Sequence, residues 1–260
     1  MTKKILVVGA TGSIGRLVVR ELIKNGYQVR VLTRHQKSEF DDEVEVFIGQ
    51  LTDPKTLKGV TDGIDGIIFT HGSNSNEIEN VDYRGTLNIL NEIRPGQRPY
   101  LVFMSAVSVT AREMAYNKQC GICDWKRRAE RLIRATSLPY TIVRPGWFDC
   151  NSESELKLIF RQGDRFGSGT PADGVVSRAQ IAEVLVKALF NAKAQSTTFE
   201  LVAVSGPATT DFDAYFNDIP KDILGSEDAP DDRHNQPLCD EPENIRKELS
   251  DISNKFLIAV

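Results

Sequence analysis

Reactive or ligand-binding potential in this chain begins at Gly9. Gly9-Ala10-Thr11-Gly12-Ser13-Ile14-Gly15 directly follows the apolar run 5–8 and opens a segment whose apolar residues, Ile14, Leu17, Val18 and Leu22, recur at helical spacing. Glycines so placed let the backbone turn tightly and approach a diphosphate with no Cβ in the way. The first turn of the following helix offers unpaired N–H groups and the positive end of its dipole. Thr11 and Ser13 add hydroxyl donors. About 20 residues on, where an NAD-binding protein carries an acid for the ribose 2′-hydroxyl, the chain has Thr33 and Arg34. A guanidinium there suits a 2′-phosphate in charge and in its planar donor fork, with His35 and Lys37 adding to the positive field. The cofactor expected is therefore NADP(H).

Other reactive side chains are sparse. Cys120-Gly121-Ile122-Cys123 has the spacing of a redox dithiol or of half a zinc site, and a helix N-terminus after it would lower a thiol pKa. No second pair stands at metal spacing, and His35, His71 and His234 are scattered, so no metal is expected. The absence of a G-x-S-x-G elbow disfavours hydrolase chemistry.

Short β-branched runs at 5–8, 29–32, 44–48, 66–70, 101–104 and 141–143 read as buried parallel strands that would carry these groups. Helical patterns at 14–24, 80–93 and 124–135 alternate with them, which implies a doubly wound α/β sheet, the Rossmann fold. Past Arg144 the spacing predicts a helix over 153–160, a short strand over 164–166, a helix over 178–190 capped by Ser177, a strand over 198–202, a short helix over 211–216 and a last helix from about 242 to 252. One domain is expected over 1–260, with 150–260 contributing a small C-terminal α/β lobe for substrate or lid.

Forty per cent apolar side chains suffice for a sizeable core, and no apolar run is long enough to span a membrane. Met1-Thr2-Lys3-Lys4 leads straight into the first strand without a signal-peptide pattern, so a cytoplasmic location is expected. The net charge of −4 is uneven, since residues 218–243 hold nine acids against Lys221 and Arg233. No concentrated basic face stands out, which argues against a nucleic-acid partner, and the acidic stretch is expected to lie in solvent as a mobile loop.

With these residues assembled, the chain resembles the atypical, NmrA-like branch of the short-chain dehydrogenase/reductase superfamily. The resemblance rests on the glycine spacing and on Gly49-Gln50-Leu51-Thr52-Asp53, Asp82-Tyr83-Arg84-Gly85-Thr86, Trp125-Lys126-Arg127-Arg128-Ala129-Glu130 and Tyr140-Thr141-Ile142-Val143-Arg144-Pro145-Gly146, and it extends to about residue 205. It implies that Gly9, Thr11, Gly12, Ser13, Ile14 and Gly15 hold the diphosphate and Arg34 the 2′-phosphate. Gln50, where relatives usually carry an acid, and Leu51 would meet the adenine edge, while Thr70, His71 and Gly72 would border the adenine-side ribose and the diphosphate. Pro145 and Gly146 would meet the nicotinamide. In active members a tyrosine four residues before a lysine exchanges the proton while the lysine grips the nicotinamide ribose. Lys126 matches that lysine, but Ile122 stands at the tyrosine's place and can neither donate nor accept a proton. Ser105 and Ser108 flank the place of the family's serine, with Ala106 an alternative occupant of that place and Ser105 the candidate catalytic serine, and Tyr116 could supply the missing acid only if its loop folds over the nicotinamide. Trp147 and Phe148 would either wall an apolar cleft or pack in the core.

Two functions follow as expectations. One is an NADPH-dependent reductase of a small apolar, redox-ready substrate such as a quinone, flavin or carbonyl. The other, favoured by Ile122, is an NADP-binding sensor whose C-terminal lobe engages a regulatory protein partner. Epimerase chemistry leans on the same missing tyrosine.

Overall fold

A computed structural model of the chain describes residues 2–35, 40, 43–73 and 76–257. Seven strands form a parallel sheet: β1 (Lys4–Val8), β2 (Gln28–Thr33), β3 (Val44–Ile48), β4 (Gly66–Phe69), β5 (Tyr100–Met104), β6 (Tyr140–Pro145) and β10 (Thr197–Val204), in the order β3-β2-β1-β4-β5-β6-β10. The short β7 (Trp147–Phe148) pairs with β9 (Val175–Val176), while β9 and β8 (Lys157–Arg161) run antiparallel to β10, so the C-terminal third extends the same sheet. Strand order reverses between β1 and β4, the crevice where doubly wound sheets bind ligands.

Alternate residues of each strand enter opposite cores. Ile5 and Val7 face one with Val18 and Leu22 of α1 (Gly15–Lys24), Ile181 and Leu185 of α5 (Arg178–Ala188) and Phe216 of α6 (Phe212–Asn217). Leu6 and Val8 face the other with Leu90 of α2 (Gly85–Glu92), Leu132 and Ile133 of α4 (Ile122–Ala135) and Ile245 and Phe256 of α7 (Glu243–Leu257). A π-helical segment, Glu79–Arg84, leads into α2, and the short α3 (Ala115–Cys120) precedes α4. Ser177 caps α5 as expected, in a reciprocal capping box with Gln180. Among the described residues no helix is long and apolar enough to cross a membrane.

Three expectations fail. The segment 153–160 is not helical. Leu158 and Phe160 share the face that enters the first core while Lys157 between Leu156 and Leu158 is exposed, so the chain runs as strand β8, where Phe160 stacks on Phe199 at 4.6 Å. No strand forms over 164–166, where Asp164 takes a positive φ and its buried carboxylate accepts the backbone N–H groups of Ser108 and Thr110.

The acidic stretch is not a solvated loop. Asp228 accepts Nε and Nη2 of both Arg127 and Arg131 at distances between 2.8 and 3.0 Å. Glu241 pairs with Arg128 and Arg131, Asp222 with Arg134, and Asp232 with Arg144 of β6. Arg127, Arg131 and Arg144 are fully buried. Arginines at 127, 131 and 134 recur at helical spacing and form one stripe of α4 that points inward, where unpaired charge is costly. The acids of 222–241 supply the pairing, fixing this segment against the helix that bears Lys126. Burial pushes Glu200, which also faces Arg144, up to about 8, whereas Glu130 is held down to about 2 because Arg144 and Arg134 outweigh its own burial.

Candidate cofactor and active site

The glycine loop leaves β1 at the carboxyl edge of the sheet. Gly9 has φ +86°, and a Cβ there would lie 2.6 Å from the backbone nitrogen of His71. A Cβ on Gly15 would lie 2.2 Å from the Gly9 carbonyl oxygen. Both glycines are thus required by the loop's own packing. Gly12 differs. Its N–H closes the turn onto the Gly9 carbonyl at 2.9 Å, and its exposed Cα meets only that oxygen, at 3.2 Å from an added Cβ. Among the described residues the N–H groups of Thr11, Ser13 and Ile14 have no acceptor. A cradle of free donors at the first turn of α1 fits a dinucleotide diphosphate.

Around this loop the carboxyl ends of the neighbouring strands converge. Arg34, just past β2, is exposed and its side chain has no hydrogen-bond or ion-pair partner among the described residues; Lys37, expected beside it, lies outside them. Gln50 follows β3, exposed, with its amide bonded to Thr52 at 2.9 Å and its N–H to the Thr56 hydroxyl, while Leu51 packs partly buried against Gly85. Thr70 is tied back to the Val8 carbonyl through its hydroxyl at 3.0 Å. His71 is buried against Phe69 and Phe103, with Nε2 at 3.2 Å from the Thr86 hydroxyl. Burial pulls its imidazole down to about 4, so the ring is neutral at physiological pH and serves as packing with a polar edge.

Gly72 joins the loop to Asp82 and Lys126. A Cβ there would lie 3.4 Å from Asp82 Oδ1 and 3.5 Å from Lys126 Nζ. Lys126, one turn into α4, donates to Asp82 Oδ1 at 2.6 Å, and the other oxygen of this buried carboxylate accepts the Ser73 N–H at 2.9 Å. The ammonium therefore stands at the carboxyl end of β4 in a fixed orientation. Asp82 belongs to a motif already quoted from the sequence, but no spacing rule connects it with a lysine 44 positions away.

The remaining expected residues are distributed as follows. Ser105 is buried just past β5, its backbone N–H on the Val143 carbonyl, and its buried hydroxyl has no hydrogen-bond partner among the described residues. Ser108 is also buried and contacts Asp173. Tyr116 is exposed on α3, its backbone carbonyl accepting the Cys120 thiol at 3.1 Å, and Ile122 opens α4 one turn before Lys126. Pro145 ends β6, and Gly146 is a steric necessity because a Cβ would lie 2.5 Å from the Gly174 carbonyl oxygen. Trp147 is exposed, not core, whereas Phe148 packs against the first core. The dithiol reading of Cys120 and Cys123 is corrected. Cys123 is buried and desolvation pushes its thiol up to about 12, the opposite of activation.

Sequence reasoning missed Arg178. It begins α5, and its Nε donates to the Ser13 hydroxyl at 3.0 Å while Nη1 pairs with Asp149. The positive charge just after a capping serine was the signal available.

Comparison with known proteins agrees with this geometry. The chain is 26% identical to sanguinarine reductase of Eschscholzia californica over 83% of this chain and 95% of that protein. It is 25% identical to an uncharacterized chloroplastic protein of Arabidopsis thaliana over 83% of this chain and 75% of that one. A short-chain dehydrogenase/reductase from Veillonella parvula, solved in complex with NADP, superposes with a TM-score of 0.60 at 18% identity, covering 78% of this chain and 95% of that one, a likeness of fold. A family described as NAD(P)H-binding matches residues 9–192, so the chain belongs to that NAD(P)H-binding family, with the Rossmann fold of short-chain dehydrogenase/reductases.

Proposed function

We propose that this protein is an NADPH-dependent reductase of a small, apolar, redox-ready compound such as a quinone, flavin or carbonyl. The observation that carries the reading is the contiguity of the diphosphate cradle with Lys126, through Gly9 against His71 and Gly72 against Lys126. Thr11, Gly12, Ser13 and Ile14 would receive the diphosphate, the exposed guanidinium of Arg34 the 2′-phosphate, and Lys126, oriented by Asp82, the nicotinamide ribose. NADPH supplies a hydride when bound. The exposed Trp147 offers an apolar surface just beyond Pro145 and Gly146, where a flat substrate would rest. Sanguinarine reductase, by its name, reduces a substrate of its own, and the likeness supports reduction here.

Ile122 narrows the substrate class. General acid–base help contributes about 10²- to 10⁴-fold, so acceptors that take hydride without a concerted proton are favoured over simple ketones. Loss of NADPH absorbance in the presence of quinones, flavins and aldehydes tests the reading, with turnover expected on the first two. Binding without turnover on any acceptor would select the second reading, a sensor that engages a partner protein, which Ile122 and the clamping of α4 by residues 222–241 favour. A cytoplasmic location belongs to the same proposal; several relatives are named as chloroplastic proteins.

A further inference from the structure

Beside the glycine loop, whose Thr11, Ser13 and Ile14 N–H groups have no acceptor among the described residues, stands a cation that the family motifs quoted above do not include. Arg178 reaches across from α5 to the loop, its Nε 3.0 Å from Ser13 Oγ, a contact between residues 165 positions apart. Its position is built. Asp149 accepts the Arg178 backbone N–H at 2.9 Å and pairs through its second oxygen with Nη1, and the guanidinium lies over the Phe148 ring at 5.3 Å. Asp149 adopts φ +53° and is held below its ordinary carboxyl value, first by the Arg178 backbone N–H and further by the side chain. Among the described residues Nη2 has no acceptor. The loop thus presents donors to a space edged by one guanidinium that retains an unused N–H edge.

We propose that Arg178 is a diphosphate-binding residue, which exchanges part of its pairing with Asp149 for a phosphate oxygen when the dinucleotide enters. The inference rests on the cofactor reading given above. A diphosphate carries two negative charges, and the backbone donors and dipole of α1 offer only partial ones, so a charged fork beside Ser13 completes the neutralisation. Because Asp149 and Phe148 hold the same guanidinium, cofactor binding is felt in the loop that carries Trp147. Arg34 and Arg178 then divide the work: one reads the 2′-phosphate, the other the group common to NADPH and NADH.

Calorimetric titration of wild type, Arg178→Ala, Arg178→Lys and Asp149→Asn with NADPH, NADH and 2′-AMP tests this. Arg178→Ala should weaken NADPH and NADH alike by about tenfold, the lower range for a charge-assisted contact at a half-exposed site, and leave 2′-AMP within about twofold. Arg178→Lys should recover part of the loss. Asp149→Asn, which keeps an acceptor for the backbone N–H but drops the competing charge, should tighten both dinucleotides; a purely structural Arg178–Asp149 pair would give no gain. Unchanged NADPH affinity in Arg178→Ala, or an equal loss for 2′-AMP, would overturn the assignment. A wild-type protein that binds neither dinucleotide would remove the cofactor reading itself and this inference with it.

Discussion

Replacing Asp228 with alanine probes the feature that composition conceals most. Its carboxylate accepts four N–H donors from Arg127 and Arg131, whose side chains are each 1% exposed. Those two arginines hold the carboxyl well below the usual aspartate range, although burial works the other way. In Asp228→Ala, Arg127 keeps Asn235 and the Arg233 carbonyl, and Arg131 keeps Glu241 and the Gln236 carbonyl. Removing one partner of a buried pair costs about 3–5 kcal/mol, and the retained contacts place this case at about 3. For a chain of this size each kcal/mol lowers Tm by about 2–4 °C, so a fall of roughly 6–12 °C is expected in a thermal melt. Asp228→Asn, which keeps one acceptor and the shape, should fall between. The sign with pH is fixed as well: a depressed carboxyl contributes stability above its unfolded value that is lost on acidification, so the gap between wild type and variant should close in acid. Two variants melting within 1 °C of wild type would show that residues 218–243 are solvated after all.

Three further outcomes are expected. Gly12→Ala should melt close to wild type, its Cβ meeting one oxygen at 3.2 Å, yet lose more than about tenfold in NADPH affinity, whereas Gly9→Ala should destabilise the fold because its Cβ meets backbone at 2.6 Å; equal NADPH binding by Gly12→Ala would refute the cradle. Lys126→Met should weaken NADPH by about tenfold and lower turnover, and unchanged kinetics would remove it from the site. Glu200, protonated in the native state up to about 8 but with an ordinary value of 4.5, makes stability decline as pH rises between those values; thermal melts of Glu200→Gln across that range should lack this decline, and an identical profile would show Glu200 ionised.

The glycine loop, the parallel strands and the capped α5 were legible because local rules govern them: an apolar run, a period of 3.6, a serine before a helix. The segment 153–160 was misread since five residues of alternation resemble a turn and a half of helix until a partner strand is known. The partners of Arg127 and Arg131 could not be read, because the charge balance of a segment says nothing about a stripe of arginines 101 positions away. Lys126 was found by resemblance, but Asp82, which orients it, and Arg178, which faces Ser13, are brought there only by the folding of the sheet.

Cofactor choice turns on Arg34 and the loop beside it. Titrating wild type and Arg34→Asp with NADPH and NADH tests it most directly. Wild type should bind NADPH at least about tenfold more tightly than NADH, and the variant should lose that ratio while keeping NADH, since Arg34 is exposed and without a partner among the described residues. Equal affinities in wild type, or a ratio untouched by the substitution, would contradict it.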